Sequence, residues 1–129
     1  MPETVTFDED LGIVRIESYG DLTAEDLRAT LGSALKMHQV RGVSRGFVDA
    51  TRVTSYPSTF PIFDFGSQAA TRLRGLRIAI ATTPGMLDTP VFFETVTRNR
   101  GAVVRIFDSP DPALAWLMSE PNKELKATW

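Results

Sequence analysis

Hydrophobic and polar residues alternate in two short segments near the start of the chain, "TVTF" (Thr4–Phe7) and "GIVRIESY" (Gly12–Tyr19). The polar "DEDLG" between them has hairpin-turn composition, so the pattern predicts two antiparallel strands. The period then changes. In "LTAEDLRATLGSALKMHQVRG", Leu27, Leu31, Ala34 and Leu35 form a helical stripe, Thr23 and Asp26 stand in a capping-box spacing, and Gly42 is a stop. "GFVDA" (Gly46–Ala50) is a buried-strand pattern, followed by a hydroxyl-rich loop and a second helix from Pro61 to Arg74, ended by Gly75. "LRIAIAT" is the next strand. A third helix opens at Thr89-Pro90, where a cap precedes a first-turn proline, and closes near Asn99 and Gly101. "AVVRIF" is a fifth strand, and "SPDPALAWLM" begins a last helix.

The order β-β-α-β-α-β-α-β-α predicts an α/β fold with a mostly parallel five-stranded sheet and one antiparallel edge strand. Val14, Ile16, Val48, Ile78, Ile80, Val104 and Ile106 share one parity of their strands and are all aliphatic. The other parity mixes Ile13, Phe47 and Ala79 with Arg15, Glu17, Arg77 and Arg105. A doubly wound sheet would be apolar on both faces. Helices are therefore expected mainly on the aliphatic face, with Trp116 buried and Trp129 exposed.

Composition narrows the function classes. A chain of 129 residues fits one domain with its own core, taken as 1–119 with a polar tail over 120–129. The absence of cysteine removes disulfides, thiolate metal sites and cysteine nucleophiles. A net charge of −2 argues against nucleic-acid binding. With no apolar run long enough to span a bilayer and no signal-peptide pattern at the start, a cytoplasmic location without an integral membrane segment is expected.

Four further segments carry a family pattern: "YGDLTAEDL" at Tyr19–Leu27, "GFVDA" at Gly46–Ala50, "VVRIF" at Val103–Phe107 and "ALAWL" at Ala113–Leu117. With the order of elements, they make the chain resemble STAS-like (SpoIIAA-like) domains, most closely the small bacterial members of unassigned function. That fold is a short βα superhelix shared with anti-sigma-factor antagonists and, more distantly, CRAL-TRIO lipid-binding domains. The resemblance implies a binding or regulatory module acting through protein–protein interaction. It also raises an apolar-ligand or lipid-binding alternative and a Ser/Thr-phosphorylated switch. In the antagonists the phosphorylated residue stands in an Asp-Ser-Ser-Gly-type turn; here "TSYPSTFP" occupies that region, with Ser55, Ser58 and Thr59 but no such motif.

No nucleophile elbow, dinucleotide loop or Walker loop is present. The single histidine, His38, lies on a helix stripe near its C-terminus, where its role is structural. Neither catalysis nor a metal or cofactor is expected. Asp49 could orient a ligand at a strand end, but accepting hydrogen bonds from following amides suits it better. Ser58 and Thr59 read as helix caps. Arg15, Arg77 and Arg105 share a sheet face with Glu17, as an ion-pair network or an anion site. Phe60 and Phe63 fall off the second helix's stripe beside Tyr56 in the loop, adjacent Phe92 and Phe93 cannot both face the core, and these aromatics are expected to form a partner surface or ligand groove. A protein partner, most simply a second copy in a homodimer, would cover a flat patch; a cavity would take a small apolar ligand.

Overall fold

Five strands form one sheet in chain order: β1 (Glu3–Asp8), β2 (Ile13–Asp21), β3 (Arg45–Ser55), β4 (Arg77–Ala81) and β5 (Val103–Phe107). β1 pairs antiparallel with β2, and the remaining pairs are parallel. The helices are α1 (Ala24–Arg41), α2 (Thr59–Arg72), α3 (Asp88–Arg98) and α4 (Pro110–Met118), with one 3₁₀ turn at Pro84–Met86. This computed structural model describes residues 3–119, with only the backbone at 59–61. The expected tail over 120–129, including Trp129, lies outside the described residues. Among the described residues, no helix is long and apolar enough to cross a membrane.

Local chemistry accounts for the helix ends. The Thr23 hydroxyl accepts from the Asp26 amide at 3.1 Å, and the Asp26 carboxylate accepts from the Thr23 amide at 3.0 Å. This reciprocal pair satisfies two N-terminal donors that the helix leaves open. Gly42 ends α1 at φ 68°, a left-handed conformation that costs glycine no steric strain. His38 lies in the last turn, its Nδ1 2.7 Å from the Val43 carbonyl oxygen.

Because β2 to β5 follow one another in a single direction, crossovers of one hand deliver α1, α2 and α3 to the same face. That face carries the aliphatic parity: Val14 and Ile16 pack with Ala34 and Met37, while Ile78, Ile80 and Val104 pack with the apolar side of α2. Ile62, Phe65, Ala69 and Leu73 are the buried stripe of α2. Gly66 lets α3 come close, since a Cβ there would lie 3.0 Å from Val96 Cγ1.

α4 lies on the opposite face. Following β5, it folds back beneath the sheet, where Ile13, Phe47, Ala79 and Ala81 meet Ala113, Trp116 and Leu117. Small side chains on β4 allow that approach. The three arginines read as an ion-pair network or an anion site lie on this face, and packing employs them. Arg77 is only 7% exposed and donates to the Trp116 carbonyl at 2.7 Å and the Ser119 hydroxyl at 2.9 Å. Arg15 pairs with Asp8 at 3.1 Å, and the Arg105 guanidinium lies over Phe107 and Trp116. Glu17 pairs with Arg52, not with Arg15.

Several boundaries differ from the sequence pattern: α2 ends at Arg72, and α3 starts at Asp88 with Leu87, not Thr89, in the cap position. The hydroxyl-rich stretch after Ala50 continues β3 to Ser55 instead of starting a loop. The β2–β3 register shifts between Glu17 and Tyr19 and between Gly20 and Asp21, where β3 takes one extra residue each time, and the Thr54 and Ser55 hydroxyls donate to Asp21 at 2.8 and 2.9 Å. α2 begins two residues earlier than the stripe suggests, at Thr59.

Candidate functional site: an apolar chamber beneath α1

α1 is the least embedded helix: none of its residues is fully buried. Leu27, Leu31 and Leu35 face the core but stay partly exposed, and so do Val48, Ile78 and Ile80 on the sheet below them. Between the two layers lies an apolar chamber of about 130 Å³. Ile16, Val48, Ala50, Ile78 and Ile80 make its floor, α1 contributes Leu27, Leu31 and Ala34, and Phe65, Pro90 and Phe93 close it from α2 and α3. An engineered cavity of roughly 150 Å³ with similar lining stays dry and binds benzene. This chamber is similar in volume and lining.

Its polar groups sit at the margins. Glu3 points to this side of the sheet, opposite Ser18 in the β1–β2 register. The Ser18 hydroxyl donates to one carboxyl oxygen of Glu3 at 2.5 Å, and the Thr30 hydroxyl of α1 donates to the other. This bridge ties α1 to the first two strands through polar groups. Burial lifts the Glu3 pKa above the ordinary carboxylate range; the two hydroxyls oppose that shift, and Asp26 adds to it. On the far side, the Tyr56 hydroxyl lies 3.3 Å from Thr82 Oγ1, and burial raises its pKa as well.

The aromatic group expected from sequence separates. Tyr56 and Phe93 turn inward to line the chamber, with Phe93 stacked on Phe65 at 5.5 Å. Phe63 and Phe92 turn outward and pair at 6.5 Å between ring centres, with the Arg100 guanidinium 5.5 Å from the Phe63 ring. Adjacent helix positions diverge by about 100°, so Phe92 and Phe93 cannot share a direction. The side chains of Phe60 and Thr59 lie outside what the structure describes.

Among the described residues, Asp49, Ser55 and Ser58 do not converge on one site. Asp49 lies within β3 and accepts from the Thr51 amide at 3.1 Å and from the Thr51 hydroxyl at 2.6 Å. Ser55 ends β3, and Ser58 takes the N-cap position of α2 without a side-chain capping bond. Among the described residues, no group of three histidine, cysteine, aspartate or glutamate residues could hold a metal ion.

Sequence reasoning passed over Glu3, Ser18 and Thr30, although a signal existed. Glu3 shares parity with Val5 and Phe7, and Ser18 with Val14 and Ile16, so both place a polar group on the aliphatic side.

No family model matches the chain, and no curated protein does. Among solved structures, it is similar to an uncharacterized protein of the DUF3478 family, with a SpoIIAA-like fold, from Shewanella loihica PV-4. The TM-score is 0.56 at 17% identity, covering 89% of this chain and 93% of that one. The chain therefore has the SpoIIAA-like, or STAS-like, fold that its motifs suggested.

Proposed function

We propose that this STAS-like domain acts without catalysis, as a binder of a small apolar ligand held beneath α1. One observation carries the reading: an apolar chamber of about 130 Å³ lies where a tightly packed helix would otherwise fill the space. Protein interiors normally leave few voids larger than a water molecule. Filling this one with ligand would recover the dispersion contacts its lining lacks. The more distant resemblance of this fold to lipid-binding CRAL-TRIO domains points the same way.

Titration with hexan-1-ol, followed by methyl NMR, tests the reading. The methyl signals of Val48, Ile78 and Ile80 should shift saturably. Ala34→Phe, which places a ring in the chamber, should abolish the shifts while leaving the helical circular dichroism intact. Absence of saturable shifts in the wild type would reject the chamber as a ligand site.

A second reading rests on the outward Phe63–Phe92 pair. Phe63 and Val91 are each 43% exposed on the outer side of α2 and α3. In this reading the pair is the centre of a protein interface, and a symmetric homodimer is the simplest partner because one patch then serves both copies.

A further inference from the structure

A second concavity, of about 450 Å³, opens between β1 and α1. It is lined by Val5, Met37 and Val40 together with Lys36 and Arg41, and among the described residues it meets the inner chamber at Glu3 and Thr30. We infer that chamber and groove are one site for a single-chain amphiphile with an anionic head, of the medium-chain carboxylate class. The chain lies inward past Glu3 and Thr30, and the head rests outside at Lys36 and Arg41. This assignment rests on the apolar-ligand reading above and names the ligand's chemistry.

Three features converge on it. The chamber alone has room for about a benzene-sized body. Chamber and groove together fall within the ~300–1,000 Å³ usual for ligand pockets. Their polarity is also graded: the inner end has aliphatic walls, and the outer end carries two cations that make no ion pair among the described residues. The Arg41 guanidinium lies 4.7 Å from the Phe7 ring centre, which holds it at the groove's edge. The neck is the third feature. The bond from the Thr30 hydroxyl to Glu3 closes the passage between the two spaces, so a small outward movement of α1 joins them. Because burial favours the protonated Glu3 carboxyl, the neck repels an anion less than a free carboxylate would.

Calorimetric titration of the full chain with straight-chain carboxylates from butanoate to dodecanoate tests the inference, with decan-1-ol as the uncharged control. Affinity should rise about fourfold for each methylene that enters the apolar space and level off once the chamber is filled. Decanoate should bind several-fold more tightly than decan-1-ol. Lys36→Glu, an exposed substitution, should remove that preference without weakening decan-1-ol, and Arg41→Gln should reduce it. Thr30→Val should speed association by opening the neck. Equal affinity for acid and alcohol, or a preference unaffected by Lys36→Glu, would overturn the anionic head site and leave the hexan-1-ol result standing. Affinity independent of chain length would overturn the continuity of groove and chamber. Hexan-1-ol failing to enter would remove the underlying reading instead.

Discussion

The guanidinium of Arg77 lies 3.8 Å from the centre of the Trp116 ring and donates to the Trp116 backbone carbonyl at 2.7 Å. One side chain from the start of β4 thus holds both the ring and the C-terminal turn of α4, and a charge survives burial because hydrogen bonds and the ring face replace water. Trp116→Ala should cost about 3–5 kcal/mol in urea denaturation, the usual range for emptying such a site. Arg77→Lys keeps the charge but loses the planar fork, and should cost about 1–3 kcal/mol. A loss under about 1 kcal/mol for Trp116→Ala would mean that α4 is peripheral.

α1 depends on its cap more than the other helices do, because it buries no residue completely. Thr23→Ala removes one half of the capping box and should cost about 1 kcal/mol. Hydrogen exchange should locate the effect, with amides across α1 exchanging faster while those of β3 and β4 stay protected. Uniform acceleration over the whole chain would show that α1 does not open independently.

Gly66 faces Val96 across the α2–α3 contact. Alanine in a helix interior normally gains about 1 kcal/mol over glycine. Here the new methyl would stand 3.0 Å from Val96 Cγ1 and 3.3 Å from its Cβ, against a buried and stiff β-branched side chain. Gly66→Ala should therefore destabilise the protein, and the Gly66→Ala/Val96→Ala double mutant should show a favourable coupling of about 0.5–3 kcal/mol. Strict additivity would refute the close contact.

The dependence of stability on pH follows from three carboxyls. Glu3 is raised, chiefly by burial, so the folded state holds its proton more tightly than the unfolded chain. Its contribution is fully present below the ordinary value of 4.5 and is lost as pH rises through the raised folded value. Asp8, lowered mainly by the Leu11 amide, and Asp21, lowered mainly by the Thr54 hydroxyl, act in the opposite sense. Their contributions are present above 3.8 and are lost as pH falls through the lowered values. Urea titrations at a series of pH values should show that Glu3→Gln removes the decline above pH 4.5 and leaves the acid limb in place. A decline that survives the substitution would assign it to another group.

Self-association has a direct test in sedimentation. If the Phe63–Phe92 pair forms a dimer centre, Phe63→Ser should weaken assembly by about 2 kcal/mol or more while leaving hexan-1-ol binding unchanged, because Phe63 does not line the chamber. A wild type that stays monomeric at micromolar concentration would leave this pair as surface.

What the sequence determined by itself was local or periodic. Alternation placed Val14, Ile16, Ile78 and Ile80 on one face, and the Thr23–Asp26 spacing and Gly42 bounded α1, because side-chain direction, capping and left-handed backbone depend on a few neighbouring residues. The parallel order and the shared face of α1–α3 followed from the handedness of crossovers. Tertiary structure decided the rest. Periodicity tells which face of α1 looks inward but not how closely it approaches the sheet, so the chamber was not legible in Leu27, Leu31 and Ala34. Phe92 and Phe93 could be known to diverge, but only the packing of Phe93 on Phe65 chose which one turned inward. The same holds at the neck: Glu3, Ser18 and Thr30 come from three elements, and a bridge across them is a property of how those elements dock. Docking distance depends on the whole set of opposing side chains at once, and no short stretch of sequence contains it.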